Sequence, residues 1–171
     1  MFSKVLVPLD GSPTSETVLP WVRALAGSVG TELHLLRVVP SAADLAANSW
    51  WGYGPPPSPL SAPQEAAEAA RDAARYLHRV AAAALPGLTP RVSVREGQAA
   101  REIARAAREC GAEAVVMSTH GRTGLRRLVL GSVAEAVVRE SGMPVVLLHP
   151  DAAALAAAPS AEHPGRRPMG A

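Results

Sequence analysis

Five short apolar runs divide this chain, and segments with helical spacing stand between them. The runs are Val5-Leu6-Val7-Pro8, Leu33 to Val39, Val92-Ser93-Val94, Ala114 to Ser118 and Val145-Val146-Leu147-Leu148. Near-continuous apolar runs suit strands buried on both faces. The second run is broken only by His34 and Arg37. Strands alternating with helices predict an α/β fold, an open five-stranded parallel sheet with helices on both faces. In such sheets ligands bind outside the carboxyl ends of the strands, where strand order reverses.

The intervening segments carry helix signals. Ser12-Pro13 places an N-cap serine before a first-turn proline, and the helix is expected to reach about Gly27 with a kink at Pro20. Glu65 to Leu85 repeats apolar residues at helical spacing (Ala66, Ala70, Ala73, Leu77, Val80, Ala84), and Pro86-Gly87 ends it. Ala99 to Cys110 sets Ala99, Ile103, Ala106, Ala107 and Cys110 on one face and Arg101, Arg105 and Arg108 on the other, with Gly111 as its cap. Ser132 to Ser141 is the last helix, stopped by Gly142 and Pro144.

Ser41 to Pro63 breaks the rhythm. With Trp50, Trp51, Tyr53 and Pro55-Pro56-Pro57 it reads as an inserted loop, extended in its proline part. Its aromatics suit either a cover for a cleft or a partner contact, or simple packing on the domain edge. Asp151 to Ala171 is alanine, proline and glycine with few bulky residues and reads as a tail. The expected organisation is one domain over 1–150, carrying the 41–63 insertion, followed by a tail over 151–171.

Composition narrows the class. Hydrophobic residues make up 48% of the 171, enough for a core, and much of that is alanine. A net charge of +2 gives no global argument for nucleic acid or for an anionic membrane. Cys110 is the single cysteine, which fits a reducing compartment. The start of the chain has no apolar segment of signal-peptide length, and no stretch is long enough to span a bilayer. A cytoplasmic protein is the expectation.

The chemistry gathers after the fourth run, in Ser118-Thr119-His120-Gly121-Arg122-Thr123-Gly124, and nine residues beyond Gly121 come Gly131-Ser132. Glycines let a backbone turn tightly and approach a ligand closely. A helix starting at Ser132 offers unpaired N–H groups and a positive dipole end to an anion. The stretch therefore reads as a phosphate cradle with Arg122, Arg126 and Arg127 beside it, although basic loops also occur simply as solvated surface. Ser132-Val133-Ala134-Glu135 has the form of a capping box, a role compatible with anion binding. Asp10, at the end of the first run, has two readings: acceptor for a nucleotide hydroxyl or base, or cap of its own turn. His120 has no evident triad partner. The histidines and Cys110 lack metal-ligand spacing, and neither Gly-x-x-x-x-Gly-Lys-Ser/Thr nor a post-strand Gly-x-Gly-x-x-Gly occurs.

Together these residues resemble the universal stress protein family, from about Ser3 to His149. The resemblance rests on Val5-Leu6-Val7-Pro8-Leu9-Asp10-Gly11-Ser12, on Ser118 to Gly124 with Gly131-Ser132-Val133-Ala134-Glu135, and on Met143-Pro144-Val145-Val146-Leu147-Leu148. It implies strand order 3-2-1-4-5, ATP as ligand, with Mg²⁺ where the triphosphate binds, and a homodimer through the last strand, Val145 to Leu148. It also implies that Pro8, Leu9 and Asp10 lie against the nucleoside, that Val38 meets the base through its backbone, and that Met117 lines the pocket. Ser118, His120, Gly121, Arg122, Gly131, Ser132 and Val133 would surround phosphates and ribose. The chain departs from the family's ATP motif at one place: its first glycine is Ser118 here, where a Cβ crowds the approach to the ligand.

Three functions follow. The first is an ATP-binding, nucleotide-responsive stress or signalling homodimer without robust catalysis, read by unidentified protein partners. The second is a nucleotide-free dimer acting through protein contacts. The third is a slow ATPase, for which no base stands out to activate water.

Overall fold

The computed structural model describes residues 2–48, 61–119 and 131–149. In chain order the elements are β1 (Lys4–Pro8), α1 (Pro13–Glu16), α2 (Leu19–Val29), β2 (Glu32–Val39), α3 (Ala42–Asn48), α4 (Ala62–Ala84), β3 (Arg91–Glu96), α5 (Ala99–Cys110), β4 (Ala114–Ser118), α6 (Ser132–Glu140) and β5 (Val145–Leu148). The strands form one five-stranded sheet in the order β3-β2-β1-β4-β5. The pairs are parallel throughout, with Val5 opposite Leu33 and Ala114, and Val115 opposite Val145. This is the α/β architecture expected from the alternation of runs and helices.

Successive strand residues point to opposite faces, so every core strand feeds two cores. Val5, Val7, Leu33, Leu35 and Val116 pack with Val18, Val22, Tyr76, Leu77 and Val80 of the α2 and α4 side. Leu6, Leu36, Val115 and Met117 pack with Ile103, Ala106, Ala107, Ala134 and Val137 of the α5 and α6 side. The alanines let α5 lie close to the sheet, which is why an alanine-rich chain still excludes water from Leu6, Leu36 and Val115.

Several boundaries differ from the sequence expectation, each for a local reason. The first helix is two helices, because Pro20 has no N–H to bond Glu16 and the ladder restarts at Leu19. It then runs past Gly27 to Val29, where Gly30, at φ 69°, supplies the left-handed cap. Residues 42–48 are helical rather than loop. Ser41 and Asp44 cap each other there: Ser41 N and Oγ donate to Asp44 Oδ2 (2.9 and 2.5 Å), and Asp44 N donates to Ser41 Oγ (3.1 Å). Trp50, Trp51, Tyr53 and the proline run lie outside the described residues, as do residues 151–171. The long helix begins at Ala62, ahead of Glu65, because Pro63 falls in the first turn, where no N–H is needed.

Candidate functional site

Strand order reverses between β1 and β4. From β1 the chain moves toward β2 and β3, and from β4 it moves to β5 on the other side. The loops after β1 and β4 therefore separate and leave a crevice at the carboxyl edge of the sheet. That crevice has a volume of about 300 Å³, at the lower end of the range for small-molecule sites.

The turn after β1 forms one wall. Leu9 N donates to Leu36 O at 2.8 Å, which ties the turn to β2. Asp10 Oδ1 accepts from Ser12 N at 2.9 Å and from Ser12 Oγ at 2.6 Å. Ser12 Oγ in turn accepts from Ser15 N (3.1 Å), and Ser15 Oγ donates to Ser12 O (2.8 Å). Asp10 thus caps its own turn while also lining the crevice, and the one placement does not displace the other. Gly11 sits at φ +83°, a conformation that side chains with a Cβ rarely adopt.

The opposite wall comes from β4 and α6. Thr119 N donates to Leu148 O at 3.0 Å, and Gly131 N donates to Thr119 O at 2.8 Å. Thr119 and Gly131 therefore meet at the crevice. Gly131 is extended (φ −60°, ψ 144°) and is the N-cap of α6. The capping box centred on Ser132 does not form. Gly131 O already receives the first helical bond from Glu135 N at 2.9 Å, which makes Ser132 the first helical residue. Glu135 instead reaches Arg139 one turn on, at 3.7 Å. Among the described residues no side chain caps α6, and its first-turn N–H groups at Ser132, Val133 and Ala134, which line the crevice, have no intrahelical acceptor.

Pro8, Leu9, Asp10, Val38, Met117, Ser118, Gly131, Ser132 and Val133, each a candidate on the sequence, line this single space. His120, Gly121, Arg122, Arg126 and Arg127 lie outside the described residues. Ser118 is 5% exposed, and among the described residues none but glycine has a positive φ. Position 118 therefore needs no glycine for its backbone conformation. Ser15, Leu36, Ala99, Ile103, Thr119 and Ala134 also line the crevice and were not singled out from sequence. Ala99 and Ile103 open the helix after β3, and the crossover rule that located the β1 and β4 loops could have found them.

The chemistry of the space is divided. Leu9, Leu36, Val38, Ile103 and Met117 make an apolar slot suited to a flat ring. Asp10, the hydroxyls of Ser118 and Ser132 and the end of α6 make a polar rim, and the helix end suits an anion. Among the described lining residues Asp10 is the one ionisable group. No group of three or more His, Cys, Asp or Glu among the described residues could hold a metal ion. No helix of the described residues is long and apolar enough to cross a membrane.

A parallel α/β sheet with a ligand-sized crevice at its reversal point defines the class. The model of the universal stress protein family matches residues 1–149, and the chain belongs to that family. It is 30% identical over 149 residues to the universal stress protein YxiE of Bacillus subtilis, covering 86% of this chain and 99% of that protein. The solved structure of MJ0577 from Methanocaldococcus jannaschii is similar over 87% of this chain and 96% of its own, with 25% identity and a TM-score of 0.67. A universal stress protein solved in complex with cAMP shares the fold, at 20% identity and a TM-score of 0.55 over 86% of this chain and 97% of its own.

Proposed function

We propose that the crevice binds an adenine nucleotide, and that the chain acts as a nucleotide-responsive homodimer rather than as a robust catalyst. The observation that carries this reading is an apolar slot, Asp10 and the N-terminal end of α6 lining one crevice. The slot takes the base, Asp10 takes a ribose hydroxyl, and the α6 N–H groups take phosphate. A family relative that holds cAMP supports the ligand class. ATP is the proposed ligand, with Mg²⁺ entering on its phosphates, because Mg²⁺ usually attaches through phosphates and few carboxylates. Pairing of two copies through β5, in the cytoplasm, with protein partners reading the bound state, completes the proposal.

Calorimetric titration with ATP, ADP, AMP and cyclic AMP, with and without Mg²⁺, tests it. Wild-type protein should bind at micromolar levels, and Ser132→Tyr, which places a ring at the mouth of the crevice, should lose at least about tenfold. Absence of binding by folded protein would reject the nucleotide reading and favour a nucleotide-free dimer.

A further inference from the structure

Arg37 interrupts the apolar run of β2, and the alternation of the strand turns it away from the crevice. Leu36 and Val38 line the crevice, so Arg37 projects from the other face, toward α4. There its guanidinium lies over the Tyr76 ring, 4.7 Å from the centroid. The Tyr76 hydroxyl donates to Glu16 Oε1 at 2.8 Å, and the residue is 7% exposed. Burial first, and then the bond to Glu16, hold the phenol well above its ordinary pKa, so the ring remains neutral under the cation.

The same guanidinium lies against Gly11. A Cβ on Gly11 would stand 2.7 Å from Arg37 Nη1 and 2.9 Å from its Cζ. The planar group therefore packs on the turn at its left-handed residue. Asp10, Ser12 and Ser15 hold one another.

We infer that Arg37, stacked on Tyr76, is a positioning residue that holds the Asp10-Gly11-Ser12 turn in its ligand-ready form from behind the sheet. The inference rests on the nucleotide reading for its effect on affinity, but not for its effect on the turn. Arg37→Met keeps an unbranched apolar stem and removes the planar cation. Tyr76→Leu removes the ring, and Tyr76→Phe keeps it while deleting the hydroxyl.

Two measurements on the full chain separate the possibilities: AMP affinity by calorimetry, and amide exchange at Ser12 without nucleotide. Arg37→Met and Tyr76→Leu should each weaken AMP about tenfold and speed Ser12 exchange, whereas Tyr76→Phe should stay near wild type in both. Unchanged affinity and exchange in Arg37→Met would overturn the inference. So would equal losses in Tyr76→Phe and Tyr76→Leu, which would assign the effect to the Glu16 bond. Faster Ser12 exchange in Arg37→Met, with no AMP binding by wild type, would support the positioning role and overturn the nucleotide reading instead.

Discussion

Gly11 and Gly27 show how one residue type carries opposite meanings at different places. Gly11 combines φ +83° with a guanidinium where a Cβ would go. Gly11→Ala should destabilise the fold by about 1–3 kcal/mol. Gly27 lies inside α2, exposed, and a methyl group there would meet nothing within 4 Å. Gly27→Ala should therefore stabilise by about 0.5–1 kcal/mol, and urea unfolding of the two variants will show the difference in sign. His34 is a part-buried residue whose charge depends on pH. Its Nε2 lies 2.8 Å from Ser93 Oγ, and its buried Nδ1 has no partner among the described residues. Burial, then the cations Arg91, Lys4 and Arg95, lower its pKa against a smaller opposing pull from Glu32. Below the ordinary histidine value of about 6.5 the unfolded chain binds this proton more readily than the fold does. Stability should thus be full above that pH and fall as pH drops toward the lowered native value. Urea midpoints across this range should slope less in His34→Gln, and an equal slope would assign the acid sensitivity to other groups.

At the scale of elements, hydrophobic contact outweighs surface charge. Leu77 of α4 is fully buried against β1 and β2 residues. Leu77→Ala should cost about 2–5 kcal/mol, read from denaturant midpoints. By contrast, the Arg75–Asp72 pair on the same helix has side chains 74% and 67% exposed, and Asp72→Asn should leave the midpoint unmoved. Arg95 gathers Glu102 (3.5 Å) and Glu109 from α5, and Arg105 reaches Glu109 at 2.7 Å. This network seats the helix whose first two turns supply Ala99 and Ile103 to the crevice. The end of α5 was legible because its cap is local: Gly111 closes it with a left-handed backbone, whereas α2 runs past the expected Gly27 to a cap of the same kind at Gly30. The reciprocal Ser41–Asp44 cap was equally local, and it was hidden only by the proline and aromatic segment that follows.

For the whole molecule the two sheet edges are unlike. β3 carries Arg91, Arg95 and Glu96, charges that discourage further strand pairing. β5 is Val145-Val146-Leu147-Leu148, half-buried at each position and open on one side. An apolar edge of this kind suits a second copy of the chain, as proposed. Sedimentation should give twice the chain mass, and Leu147→Lys should sediment as a monomer with native circular dichroism. A wild-type monomer at micromolar concentration would reject pairing through β5.

The division between sequence and structure follows from the range of the forces involved. Strand runs, helix caps and the glycine-serine segment are short-range patterns, so the alternation, the fold class and the crevice residues at the ends of β1 and β4 could be read from the chain alone. The cap of α6 was misplaced by one residue, because Gly131 O takes the first helical bond from Glu135 N while Gly131 N is tied to Thr119 O, which leaves Ser132 as the first helical residue. Nor could Ser15, Ala99 and Ile103 be joined to Asp10, since only sheet order brings them to one space. Arg37 is the sharpest case. In sequence it is an interruption of an apolar strand; in the fold it fills the space behind Gly11, over a ring that comes from a helix later in the chain. Local propensity writes the elements, and the packing of distant elements decides which of their side chains meet.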